Sequence, residues 1–329
     1  MGSQKVFGTF CSLVLAIAFL TGLNVDRLAA AEKDYPNRIV TLINCWGPGG
    51  GIDIAYRPIL DVLPDYLRQK IIMSHHSGAG GAIGAAFAAK AKPDGYTILA
   101  GSPSTINVIP ATRKVPYSLE DFVSVGTFEK GCLVLLVKSD APWKTLQEFV
   151  ADAKKKAGTY KCSTYGVLGQ AHFCMELFTR EAGIKVVNIP HASDAPSLAA
   201  TIGGHTQLSM ATIQSSLPQI ESGVLRALAV SDSVRYPYLP DVPTFKEWGY
   251  NIRIIGWFGM LVPKGTPKGI IDTLYNAQKR AFADNKIQPV IEKIGMTPFL
   301  TTPDEMDKLI REDQEMYTRL VKEGGIEIK

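Results

Sequence analysis

The chain has 329 residues, 46% apolar and 20% charged, too apolar for a disordered chain and long enough for two lobes. Its 35 Lys and Arg against 31 Asp and Glu leave a net charge of +4, which is no nucleic-acid footprint. Beyond the first thirty-one residues no apolar run reaches membrane-spanning length, which excludes a multi-span membrane protein.

At the start of the chain, Lys5 precedes an apolar stretch over residues 6–23, followed by Leu28-Ala29-Ala30-Ala31-Glu32. A basic start, an apolar middle and small residues at −3 and −1 describe a secretory signal peptide. We assign residues 1–31 to it, with the cut after Ala31. The stretch is also long enough for an uncleaved anchor, but the Ala-rich exit favours cleavage. Cys45, Cys132, Cys162 and Cys174 remain after the cut. In an exported chain Cys162 and Cys174, twelve residues apart, either pair or stay free, and spacing does not decide between them.

The mature chain alternates short apolar runs with helical patterns, the signature of an α/β fold with mostly parallel strands. Residues 38–44 read as a strand, and Gly47-Pro48-Gly49-Gly50-Gly51 as a loop. Asp53 is expected to cap the helix that follows, and Pro58 and Pro64 to kink or split it. Residues 70–74 form the next strand. The loop His76-Ser77-Gly78-Ala79-Gly80-Gly81 and an Ala-rich helix follow, then a strand over 96–100. Each strand–glycine loop–helix unit puts free backbone N–H groups beyond a strand's carboxyl end, an anion site that needs no charged side chain.

Residues 132–137 make an apolar strand, and Thr145 to Glu148 a capping box whose helix closes at Gly158. A strand over 160–165, the loop from Gly166 to Gln170 and a helix ending at Gly183 come next. Residues 186–189 are extended; His191-Ala192-Ser193-Asp194 then caps a short helix that Gly203 and Gly204 end, and 207–212 is extended again. The apolar run 254–262 precedes a helix over about 268–283. Thr302 to Glu305 opens a last helix that stops at Gly324-Gly325. These patterns assign residues 32–137 and 256–329 to one lobe and 138–255 to the other.

Several chemistries are unsupported. The glycines at 78, 80 and 84 resemble a dinucleotide loop, but the strand over 96–100 runs into Gly101-Ser102-Pro103-Ser104 with no carboxylate for a ribose. His75 and His76 have no compact ligand spacing around them, so no metal site is expected. There is no G-x-S-x-G, and Pro103 after Ser102 suits a loop better than a nucleophile elbow opening a helix. Lys154-Lys155-Lys156 complements a helix C-terminus.

The order of these motifs resembles one family. Tyr35-Pro36-Asn37-Arg38, the loop from Gly47 to Asp53, the loop from Ser77 to Gly84 and Pro93-Asp94-Gly95-Tyr96 carry the resemblance in the first third. Gly203-Gly204, the segment from Pro218 to Val230, Leu239-Pro240-Asp241-Val242-Pro243, Trp257-Phe258-Gly259 and Val262-Pro263-Lys264-Gly265 extend it along the mature chain. These are similar to the periplasmic substrate-binding proteins of tripartite tricarboxylate transporters, also called the Bug family.

The resemblance implies a two-lobed type II periplasmic-binding-protein fold, each lobe a mostly parallel sheet flanked by helices. It implies a monomeric solute receptor rather than an enzyme, with no cofactor and no bound nucleic acid. Such a receptor captures a small organic carboxylate and hands it to a permease of one large and one small membrane subunit. In the first lobe the resemblance points to Trp46, Gly49, Gly50, Gly51 and Asp53, then His76, Ser77, Gly78, Ala79, Gly80 and Gly81, with Ser102 and Ser104 beside them. In the second it points to Tyr165, Gly166, Gly169, Gln170, His172, His191, Ser193, Asp194 and Thr212. The sequence departs from the family pattern at Asn44-Cys45-Trp46, His75-His76-Ser77 and His191-Ala192-Ser193, changes that remove fixed cations and add titratable groups. A sensor module presenting the same ligand to a membrane receptor, and more distantly a secreted hydrolase using Ser102, are the alternatives from other classes.

Overall fold

The computed structural model describes residues 34–324; the segment 1–31, expected to be a signal peptide, and Gly325 lie outside the described residues. β1 (Val40–Asn44), α1 (Gly51–Leu67), β2 (Ile71–His75), α2 (Ala82–Ala89), β3 (Thr97–Gly101), α3 (Ile109–Thr112) and β4 (Phe122–Lys138) come first. The chain continues through α4 (Leu146–Lys155), β5 (Tyr160–Tyr165), α5 (Gln170–Ala182), β6 (Val186–His191) and α6 (Asp194–Ile202). Next are β7 (Leu208–Thr212), α7 (Ile213–Glu221), β8 (Leu225–Val230) and β9 (Ile255–Pro263). α8 (Lys268–Phe282), α9 (Gln288–Lys293), β10 (Thr297–Pro298) and α10 (Pro303–Gly324) complete the fold.

Two α/β lobes result. In the first, β2, β1 and β3 are parallel, and β9 and then β4 add antiparallel strands. In the second, β6, β5 and β7 are parallel, and β4 pairs antiparallel with both β7 and β8. The parallel expectation therefore describes the three-stranded core of each sheet, and the antiparallel strands are those that join the lobes. β4 pairs with β9 as far as Cys132 and with β7 and β8 from Leu133 or Val134 onward. One strand thus belongs to both sheets.

The local elements follow the sequence chemistry, with instructive exceptions. α1 is one continuous helix, although Pro58 and Pro64 both lie inside it. Each proline forfeits one backbone bond, but the apolar face of Ile52, Tyr56, Ile59, Leu63 and Leu67 is fully or nearly buried and holds the helix together. Gly50 rather than Asp53 is its N-cap; Asp53 sits in the first turn and accepts the Gly49 N–H at 2.9 Å. Pro103 does not end in an irregular loop either. It has helical angles and leads into a wide helical turn over Ser104–Val108 that runs on into α3, as proline at a helix start allows.

β4 begins ten residues before its apolar run. Gly126, at φ +153°, and Glu129-Lys130-Gly131 hide its first half from pattern reading, and two register shifts absorb the irregularity. Thr145 and Glu148 form the expected reciprocal capping box, and Gly183 ends α5 in the left-handed conformation. Cys162 and Cys174 are free thiols, buried like Cys45 and Cys132. One large apolar core runs through both lobes, with a smaller one around Leu136, Leu198, Leu217 and Leu225. No described helix is long and apolar enough to cross a membrane.

Candidate functional site

Four helices begin at one place. The starts of α1 (Gly50, Gly51, Ile52), α5 (Gln170), α6 (Ser193, Asp194) and α7 (Thr212, Gln214) all line a single cavity between the lobes. Strand ends put them there: α1 follows β1, α5 follows β5, α6 follows β6 and α7 follows β7, each at the carboxyl end where α/β folds bind ligands. The first-turn N–H groups of such helices have no carbonyl within the helix, so positive potential converges on the cavity without a basic side chain.

The cavity encloses about 510 Å³ including its mouth. The lobes are drawn together by direct contacts. The Gly47 N–H donates to the Ala192 carbonyl at 3.2 Å, the Ser193 hydroxyl to the Pro48 carbonyl at 3.1 Å, and the Gln170 N–H to Ser104 Oγ at 3.1 Å. Trp46 meets Tyr165 edge-on, with ring centroids 5.4 Å apart.

Asp194 is the centre of this closure. Its carboxylate accepts the Gly51 N–H at 3.0 Å, the Thr212 N–H at 3.1 Å, the Thr212 hydroxyl at 3.0 Å and the Ser215 hydroxyl at 3.3 Å. It reaches from the second lobe to the first turn of α1 and seats an anion at the starts of two helices. The side chain is 2% exposed. Burial pushes its pKa up, and the four donors pull the other way.

Of the residues anticipated from sequence, Trp46, Gly50, Gly51, Ser102, Tyr165, Gln170, Ser193, Asp194 and Thr212 line the cavity. The second glycine loop does something different. A Cβ on Gly81 would lie 3.1 Å from Cζ2 of Trp46, one on Gly166 2.5 Å from Cζ3, and one on Gly169 3.4 Å from Cη2. A Cβ on Gly80 would meet the Val167 carbonyl oxygen at 2.5 Å. These glycines let the two lobes close around the Trp46 indole, which stands between them and the cavity. Ser77 and Gly78 share that loop, and Ala79 receives a hydrogen bond on its carbonyl from the Arg113 guanidinium.

Other anticipated residues support the cavity from outside its lining. Gly49, at φ +75°, leaves space for the Ala195 methyl across the lobes. Asp53 joins the Gly49 N–H, Arg57 at 2.9 Å and His75 at 3.2 Å; burial raises its pKa, but these three partners outweigh burial and hold it below the usual carboxylate range. Ser104 carries the interlobe contact already given. His76 stacks on Phe87 with centroids 4.5 Å apart and bonds Ser74 at 3.0 Å. His172 Nδ1 accepts the Leu168 N–H at 3.1 Å and ties down the loop before α5. His191 contacts Ser163 Oγ at 3.4 Å, and burial lowers its pKa, favouring the neutral ring. The Ser102 hydroxyl has only Thr105 as a side-chain partner, at 3.4 Å, so no base addresses it among the described residues. Those residues also hold no cluster of metal-binding groups.

Sequence reading missed half of the wall. Glu129, Gly131, Cys132 and Leu133 come from β4, Gly256, Trp257 and Phe258 from β9, and Gln214 from α7. All but Gln214 lie on the paired strands that join the lobes. Only the pairing of β4 with β9, 120 or more residues apart in sequence, brings them to the cavity.

A family profile described as "Tripartite tricarboxylate transporter family receptor" matches residues 55–326. The chain belongs to this receptor family. The receptor is 31% identical over 302 residues to protein BugT of Bordetella pertussis, covering 90% of this chain and 92% of that one. Its structure superposes on that of the periplasmic binding protein BugD with a TM-score of 0.85 at 28% identity, covering 89% of this chain and 99% of the other. MatC of Rhodopseudomonas palustris with bound malate gives a TM-score of 0.82 at 25% identity, covering 87% and 100%. The two-lobed α/β architecture of the tripartite tricarboxylate receptors is therefore the architecture of this chain.

Proposed function

We propose that this receptor captures a small organic carboxylate in the interlobe cavity, outside the cytoplasm, and delivers it to a permease of one large and one small membrane subunit. The observation that carries the reading is the convergence of four helix starts on a cavity whose lining, among the described residues, has no lysine or arginine. A carboxylate there gains helix-end potential worth roughly 0.3–1 kcal/mol per helix, and hydrogen bonds from donors that Asp194 and Ser104 do not already occupy add to it. A micromolar receptor needs about −8 kcal/mol in all. The malate bound by MatC supports the ligand class.

In this reading residues 1–31 direct export and are removed. Residues 32–137 with 256–329 form the first lobe and 138–255 the second, with β4 and the entry to β9 as the two crossings. A ligand touching both lobes favours the closed arrangement over an open one.

A thermal-shift screen of the mature chain against mono-, di- and tricarboxylates and aromatic acids tests the proposal. A ligand at a hundred times its Kd raises stability by about 2.7 kcal/mol. No shift with any carboxylate, beside a clear shift with a sugar, a simple amine or a metal ion, would sink it.

A further inference from the structure

Glu129 is the unexplained group of the cavity. It is 1% exposed on β4, its Oε1 accepts from the Gln214 amide, and its Oε2 is buried without any hydrogen-bond partner. Buried polar atoms are nearly always paired, so an orphan carboxylate oxygen at a ligand cavity points to a donor that the ligand supplies. The other carboxylate in the lining, Asp194, already has its four donors. Glu129 therefore holds the spare acceptor capacity of the site.

Which donor fits is decided by the surroundings. Among the described residues no lysine, arginine or histidine lines the cavity, whereas Trp46, Tyr165, Trp257 and Phe258 do, and aromatic faces attract cations. The titratable groups acting on or beside Glu129 are Tyr56 of α1, Cys132 of β4 and Tyr236, and burial keeps all three neutral. Among the described residues no cation neutralises an ionised Glu129, and burial holds its pKa well above the ordinary value. A cation beside it reverses that balance.

We propose that the receptor selects organic acids that carry a cationic nitrogen, with the aromatic-walled Glu129 side of the cavity holding the nitrogen and the helix starts holding the carboxylate. The inference rests on the carboxylate reading above and narrows its ligand to ammonium acids. A neutral Glu129 donating to a second carboxylate is the competing arrangement, and it selects dicarboxylates instead.

Calorimetric titration of the mature protein with shape-matched pairs separates these. Glycine, 4-aminobutanoate and trimethylglycine are each compared with the nitrogen-free acid of the same shape, namely propanoate, pentanoate and 3,3-dimethylbutanoate, and glutarate serves as a dicarboxylate. At least one ammonium acid is expected to bind about tenfold or more tighter than its nitrogen-free partner and than glutarate. Glu129→Gln is expected to abolish that preference, and circular dichroism checks that the variant is folded. Equal affinity within every pair, or glutarate as the tightest ligand, overturns the inference and leaves the carboxylate reading standing. Binding by a simple amine with no binding by any acid overturns both. The wild-type ordering alone decides the question should Glu129→Gln fail to fold.

Discussion

Trp46 and the glycines around it show how a single side chain sets the closure of the cleft. Gly166 sits at φ +68°, and a methyl group there would press on the indole at 2.5 Å. Gly166→Ala combines left-handed strain of about 1–2 kcal/mol with that clash. It should lower the affinity for any cleft ligand and the melting temperature together, and adding Trp46→Ala should relieve part of the loss in a double-mutant cycle.

Asp313 makes a second residue-scale prediction. Its carboxylate accepts the Trp257 indole N–H at 2.8 Å behind the cavity wall, and burial raises its pKa to about 6 from 3.8. A carboxyl group with a raised folded pKa favours the fold while it is protonated, so its contribution is complete below about pH 4 and lost as pH rises through 6. Melting temperatures of wild type and Asp313→Asn from pH 4 to 7 should diverge, the wild type losing ground relative to the variant as pH rises. The buried thiols give a third. Burial pushes Cys162 and Cys174 up, so both should resist alkylation in the native protein and react once it is unfolded, without prior reduction.

Among the elements, the helix ends were the most legible features, because a cap is a local bargain between neighbouring residues. Thr145 accepts the Glu148 N–H at 3.2 Å and Glu148 accepts the Thr145 N–H at 3.3 Å. Thr145→Ala should cost about 1 kcal/mol in denaturant unfolding and leave ligand affinity unchanged, since α4 is remote from the cavity lining. α1 and β4 were less legible. The two prolines of α1 argue for a break that burial of its apolar face overrides, and the first half of β4 lacks the apolar run that marks its second half. Asp53 was anticipated at the cleft, yet its carboxylate faces Gly49, Arg57 and His75, partners that spacing along the chain could suggest only for Arg57.

In the whole molecule, closure depends on a carboxylate from one lobe sitting on a helix start of the other. Asp194→Ala removes that bridge and leaves the Gly51 and Thr212 N–H groups without their acceptor. Small-angle scattering of the variant without added ligand should report a larger radius of gyration than wild type; an unchanged radius would show that the remaining interlobe contacts suffice.

Composition, strand–loop–helix order and the glycine loops determined by themselves the two-lobed α/β class and the family, because these are properties of short, contiguous stretches. The resemblance they carry pointed to nine of the residues that line the cavity, each at a strand end or helix start. Tertiary structure alone decided that the second glycine loop embraces Trp46, that Asp194 crosses between lobes, and that Glu129 lines the cavity with one carboxylate oxygen buried and unpartnered. Those facts depend on β4 pairing with β9 and on the lobes meeting. Such pairing is set by burial between distant segments, and no local pattern of residues encodes which distant partner a side chain will meet.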